Sequence, residues 1–203
     1  MDGIRPPTND ASPAHQGGVV FTVGYGGDTA DHLVARLDAA GVTHVADVRS
    51  RPASRFRPEY NGPALQARLA QSGIGYVFLG ADLGGRPDDP SCYTSDGRVD
   101  YRLIREKPFF ARGLERVHSG ASRHLRICLL CSEGRPESCH RTKLVAQALV
   151  EQFGVDVQHI DPDGRVIAHK DVLARVDGGQ QSFGFIDLMH ESVGTYTGDG
   201  AKR

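Results

Sequence analysis

The stretch CSEGRPESCHR, residues 131–141, gathers two Cys, two Glu, two Arg and one His into eleven positions. Such a loop offers thiols for nucleophilic or redox chemistry, carboxylates for proton transfer, and imidazole and guanidinium groups for metals or anions. An apolar run, LRICLL, precedes it and a run of helical period, TKLVAQALVEQF, follows, so it reads as a strand-to-helix loop. Cys139, His140 and Arg141 then fall at the first turn of the helix, where the dipole lowers a thiol pKa and attracts anions.

Several uses of this loop compete. Cys131, Cys139 and His140 offer a zinc or iron ion three ligands, one short of a structural zinc set. Cys139 could serve as the thiolate of a sulfur-transfer or redox enzyme. Glu133 could act as a general acid/base or electrostatic carboxylate beside an anion held by Arg141 and Arg49. The Cys-x-x-Cys spelling at Cys128 and Cys131 falls inside a predicted strand, where positions three apart face opposite sides, which is the wrong setting for a redox pair. A phosphatase spacing is absent too: the sixth residue after Cys131 is Glu137, and after Cys139 it is Val145.

Three more loops carry unusual residues. GYGG (Gly24, Tyr25, Gly26, Gly27) leads from a strand to a helix N-terminus and could bring backbone amides close to an anion, although it does not complete a dinucleotide fingerprint. ADVRSRPASRFRPEYN (46–61) holds Asp47, Arg49, Ser50, Arg51, Arg55 and Arg57. Its guanidinium groups suit phosphate or carboxylate, and Asp47, within an apolar run, needs a partner such as Arg49 or Arg55. LGADLGGRP (79–87) is a Gly-rich bend with Asp82 and Arg86.

The elements that must position these loops follow from hydrophobic period. VVFTV (19–23), HVADV (44–48), GYVFL (75–79), LRICLL (125–130) and VQHI (157–160) read as buried strands. Helices are expected after Asp28 or Thr29 up to Gly41, from Pro63 to Ser72, from Pro108 to Gly120, and from Arg141 to Gly154. Residues 162–176 begin with Pro-Asp-Gly and read as a hairpin edge or a short helix. Alternating strands and helices predict an α/β fold: one domain with an about five-stranded, mainly parallel sheet and helices on both faces, doubly wound and Rossmann-like. In such sheets ligands bind beyond the carboxyl ends of the strands, where all four loops lie.

The chain of 203 residues suits one domain, at 18–177, between a disordered leader at 1–17 and a polar tail at 178–203, of which only FGFIDLM is apolar enough to dock. With 24 basic and 25 acidic residues the charge is −1, which argues against nucleic acid and anionic membranes as partners. No apolar run approaches the roughly 20 residues that span a bilayer. Four Cys in a chain of this size fit free thiols in a reducing, cytoplasmic setting.

GYGG, ADVRS with the following RP and SR, LGADLGG, and CSE followed by CHR together resemble the uncharacterised family called domain of unknown function 488. The resemblance spans about residues 19–160 and implies an α/β domain, but no reaction. On the residues, the expectation is an enzyme binding a phosphorylated small molecule, a nucleotide or nucleoside derivative. Glu133, Asp47, Cys131, Cys139 and His140 would be its chemical groups, and Arg49, Ser50, Arg55, Arg141 and GYGG its ligand-binding ones. A thiol enzyme, a metal-binding protein and a non-catalytic nucleotide or nucleic-acid binding module are the alternatives.

Overall fold

The structure, a computed structural model, describes residues 18–176 and 189–196. In chain order the main elements are β1 (Val20–Gly24), α1 (Ala30–Ala39), β2 (His44–Asp47), α2 (Gly62–Gln71), β3 (Gly75–Phe78), α3 (Gly80–Leu83), β4 (Arg98–Asp100), α4 (Tyr101–Arg105) and α5 (Pro108–Ser122). They continue with β5 (Ile127–Cys131), α6 (Gln147–Phe153), β6 (Val157–Ile160), β7 (Val166–Ala168), α7 (His169–Val176) and β8 (Glu191–Thr195).

The main sheet has six strands in the order β3-β2-β5-β1-β6-β7. All neighbours are parallel except β7, which closes the edge antiparallel to β6. Residues 162–176 thus make both of the expected alternatives, hairpin edge and then helix. Side chains alternate across the strands. Val20, Ala46, Ile127 and Leu129 meet Phe110, Leu114 and Val117 of α5 and Leu149 of α6 on one face. Phe21, Val23, Val45, Cys128 and Leu130 meet Leu33 and Leu37 of α1 and Leu65 and Leu69 of α2 on the other. Burial on both faces is why the strands are continuous apolar runs.

Local signals explain the helix ends, with two exceptions. Thr29 caps α1, its Oγ1 accepting from the His32 amide at 3.2 Å, and Gly41 stops it at φ +64°. Gly120 does not stop α5, which runs on to Ser122. A Cβ there would sit 2.6 Å from Ile127 Cδ1, so this glycine makes room for the sheet. The helix expected from Arg141 opens as a π-helical turn, Arg141–Ala146, before α6. π turns concentrate at functional sites and have no signature in a 3.6-residue period.

The chain leaves β1 toward β2 and β3, returns to β5 beside β1, and then crosses to β6 on the other side. That switch places a crevice at the carboxyl ends of β1 and β5. A small antiparallel ribbon, β4 with β8, lies in a region the sequence reads as loop and tail. Of FGFIDLM only Met189 is described, and it is buried; the leader at 1–17 lies outside the described residues. Among the described residues no helix is long and apolar enough to cross a membrane.

Candidate active site

A cavity of about 850 Å³ opens at this crevice. The CSEGRPESCHR loop contributes Cys131, Ser132, Glu133, Ser138 and His140 to its wall, GYGG contributes Tyr25, and the loop after β2 contributes Arg49, Ser50 and Arg51. Gly85 and Arg86 follow β3, while Tyr93, Tyr101, Ser192 and Tyr196 close the far side. The last four were not foreseen: Tyr196 comes from beside the β4–β8 ribbon, whose pairing joins segments far apart in the chain.

Cys131 ends β5 and continues the face of Ile127 and Leu129. His140 Nδ1 lies 3.7 Å from Cys131 Sγ and 3.8 Å from Cys139 Sγ, while its Nε2 lies 3.0 Å from the Val48 carbonyl oxygen. A carbonyl only accepts, so Nε2 carries a proton and Nδ1 faces the two sulfurs as base or, once protonated, as donor. Cys139, the thiol that the sequence favoured for redox chemistry, is fully buried behind Cys131 and does not line the cavity. A hydrogen bond from Cys139 pulls the Cys131 thiol well below its ordinary range; burial opposes this, and His140 and Arg141 reinforce it. Burial, together with the charge on Cys131, pushes Cys139 well up. Burial disfavours the His140 imidazolium, yet the negative Cys131 beside it outweighs that and raises its pKa. These opposite directions favour Cys131 over Cys139 as the sulfur that ionises, with His140 beside it as the partner.

Arg141 was expected to hold an anion, but it is fully buried and does not line the cavity. Its Nη1 donates to Glu133 O at 2.5 Å, its Nη2 to Gly134 O at 2.9 Å, and its Nε to Thr22 Oγ1 at 3.4 Å. It clamps the loop from beneath and leaves its charge under the thiols. GYGG is likewise a seat. The Tyr25 and Gly26 amides donate to Cys131 O and Ser132 O at 3.2 and 3.0 Å, so neither is open to a phosphate. At the α1 N-terminus, Asp28 already supplies the anion, paired with Arg36 and His32.

Asp47 is fully buried and saturated with donors. Arg49 Nε and Nη2 reach its two oxygens at 2.8 and 2.5 Å, the Arg49 amide adds a third bond at 3.1 Å, and Tyr76 Oη a fourth at 2.8 Å. Asp47 thus anchors Arg49 and has no oxygen aimed at the cavity for acid/base work. Burial would lower the Arg49 pKa, but Asp47 reverses this and holds it raised. Arg49 Nη1 also donates to Tyr60 O at 2.8 Å, so the guanidinium stands rigidly at the cavity wall. Arg55 is exposed and lies away from the wall. Glu133 lies at the exposed rim.

Residues 29–149 match the family model of the domain of unknown function DUF488. The chain belongs to the DUF488 family. No curated protein and no solved structure matches it. The geometry shows what the glycines of this DUF488 chain accomplish. A Cβ on Gly24 would lie 1.7 Å from Glu133 O, one on Gly80 1.9 Å from Arg49 O, and one on Gly85 2.6 Å from His140 Cγ. These three glycines, from two Gly-rich motifs, therefore let the four loops close on one another around Cys131. Gly24→Ala is expected to cost about 3 kcal/mol or more, because the clash is with backbone. Gly27→Ala, where nothing lies within 4 Å of the added carbon, should stay within about 0.5 kcal/mol. Urea unfolding of the two variants checks the contrast.

From beside Arg141 a chain of hydrogen bonds runs from the buried Thr22 and His159 outward to the surface at Glu151. Gln147 Nε2 donates to Glu151 at 2.6 Å, which leaves its Oε1 to accept from His169 Nε2 at 2.9 Å. His169 Nδ1 then accepts from His159 Nε2 at 2.9 Å, and His159 Nδ1 accepts from Thr22 Oγ1 at 2.7 Å. Both rings are neutral: burial, with the charges of His169 and Arg141 added, lowers His159 to about 2, and burial lowers His169 to about 4. Below about pH 6.5 the unfolded chain takes up protons that the folded one refuses, so stability is lost as pH falls toward about 4. The expected loss reaches up to about 4 kcal/mol between about pH 6.5 and 4.5. Urea midpoints measured across that window test this, and a flat profile would contradict it.

Proposed function

We propose that this protein is a cysteine-dependent enzyme acting on an anionic small molecule, with Cys131 as nucleophile and His140 as proton carrier. The observation that carries this reading is His140 Nδ1 placed 3.7 Å from the only Sγ that lines the cavity among the described residues, with Nε2 held by Val48 O. Cys131 attacks an electrophilic atom as thiolate, and the leaving group takes the Nδ1 proton. Glu133 stands at the rim as the carboxylate for a second proton transfer. Arg49, fixed by Asp47, and Ser50 face the anion. The cavity volume of about 850 Å³ suits a ligand of nucleotide size, and Tyr25, Tyr93 and Tyr101 give it aromatic walls. An anionic small molecule of up to nucleotide size thus fits the proposal better than a nucleic acid, given a net charge of −1. All four cysteines are free thiols, in keeping with a cytoplasmic setting.

Alkylation of the native protein by iodoacetamide, mapped by peptide mass, tests the nucleophile. Cys131 should react first, with Cys92 and Cys128, both fully buried, staying unmodified. No preference for Cys131 would sink the proposal. One observation favours a second reading. The ligand atoms of Cys131, Cys139 and His140 lie within 4.8 Å of one another, close enough to share a zinc or iron ion. Metal analysis of untagged protein separates the two: stoichiometric metal, with Cys131 protected until a chelator is added, would replace the nucleophile reading.

A further inference from the structure

The buried second thiol has no use in most cysteine enzymes. If Cys131 formed a bond to carbon or phosphorus, Cys139 could not resolve it, because water or another substrate must attack that carbon or phosphorus. An adduct in which Cys131 sulfur is bound to another sulfur is different: a neighbouring thiolate attacks the Cys131 sulfur itself and expels the bound group. Cys139 is placed for that attack. Its Sγ lies within 4.8 Å of Cys131 Sγ, and Cys139 is fully buried and does not line the cavity, so it is close enough to attack without competing for the place of the substrate. One nitrogen serves both sulfurs, at 3.7 and 3.8 Å.

We infer that the substrate class of this site is a small anionic organic disulfide, with Cys139 as the resolving thiol. The inference rests on the nucleophile reading above. In the first step the Cys131 thiolate attacks one sulfur of the disulfide, forming a mixed disulfide on Cys131. The S–S bond of the substrate breaks, and the departing thiolate takes the proton from His140 Nδ1. Nδ1, now a base, removes the proton from Cys139, whose thiolate attacks Cys131 Sγ. The second substrate thiolate leaves and takes that proton from His140. The substrate is reduced to two thiols, and the Cys131–Cys139 pair is oxidised to a disulfide. Closing the two sulfurs to a bond of about 2.0 Å requires the 132–138 loop to give. Ser132, Glu133, Arg135 and Ser138 of that loop are solvent-exposed. The Arg49 guanidinium, fixed on the wall by Asp47 and Tyr60 O, favours an anionic disulfide over a neutral one.

The test uses dithiobis(nitrobenzoate), an anionic aromatic disulfide, on the full reduced chain. Wild-type protein should rapidly release two thionitrobenzoate groups per chain, retain no adduct by intact mass, and lose the free thiols of Cys131 and Cys139 together. Cys139→Ser, or Cys139→Ala if the serine variant does not fold, should release one and keep the mixed disulfide on Cys131. Iodoacetamide, which makes an S–C bond, should leave a permanent adduct on Cys131 in both proteins. A wild-type chain that releases one group and keeps the adduct, with Cys139 still free, would overturn the resolving role while leaving Cys131 as nucleophile. Release no faster than that of Cys131→Ser would overturn both readings.

Discussion

His140→Gln is expected to slow alkylation of Cys131 at pH 7 by about 30-fold or more. An unassisted thiol is only a few per cent ionised at that pH, and burial of Cys131, 3 % exposed, reduces the fraction further. Glutamine keeps a donor for Val48 O but carries no positive charge to hold the thiolate. The sign follows from the same pair. The Cys131 pKa is depressed, so the wild-type rate should stay level as pH falls through the ordinary thiol range and drop only well below it. In the variant, which keeps the hydrogen bond from Cys139 but loses the charge of His140, the midpoint should move up toward the ordinary thiol range. Rates of iodoacetamide labelling from pH 5 to 10 give both profiles. Coincident midpoints would mean that His140 does not hold the thiolate.

Arg141→Met is expected to lose about 3–5 kcal/mol of stability. Methionine fills much of the volume, so the loss comes chiefly from two partly buried carbonyls, Glu133 O and Gly134 O, left without the guanidinium donors at about 1–3 kcal/mol each. Arg141→Lys should rescue little, because an ammonium on one stem does not span two carbonyls and Thr22 as the guanidinium fork does. The removed charge should also raise the Cys131 midpoint, since Arg141 helps to lower it. Urea unfolding reads the first effect and labelling against pH the second. A loss under about 1 kcal/mol would show that the loop holds its shape without Arg141.

These expectations depend on orientations that a linear reading cannot supply. Asp47 was recognised as a carboxylate in need of a partner, and Arg49 was among the partners named, because an unpaired charge in an apolar strand is too costly. That the pairing uses both carboxylate oxygens, and so removes Asp47 from acid/base work, depends on Tyr76 and Tyr60 arriving from other elements. Arg141 has the same local context as His140, yet one points into the core and the other to the cavity. The π-helical turn that begins at Arg141 changes the angular step between residues at this point, and nothing in the residue types announces it. LGADLGG read only as a Gly-rich bend because glycine is permissive anywhere; only the packed structure shows Gly85 against the His140 ring.

What the amino-acid sequence determined by itself was the α/β class, the five parallel strands, the starts of the principal helices and the gathering of four unusual loops at one sheet edge. These rest on hydrophobic period, caps and turn residues, which act over a few neighbours. Tertiary structure alone decided that Cys131 faces the cavity and Cys139 stands behind it, that Arg141 and Asp47 are spent internally, and that Tyr196 beside the β4–β8 ribbon helps to close the site. Each of those outcomes is a long-range contact, set by which face of a strand or helix turns inward once the layers pack.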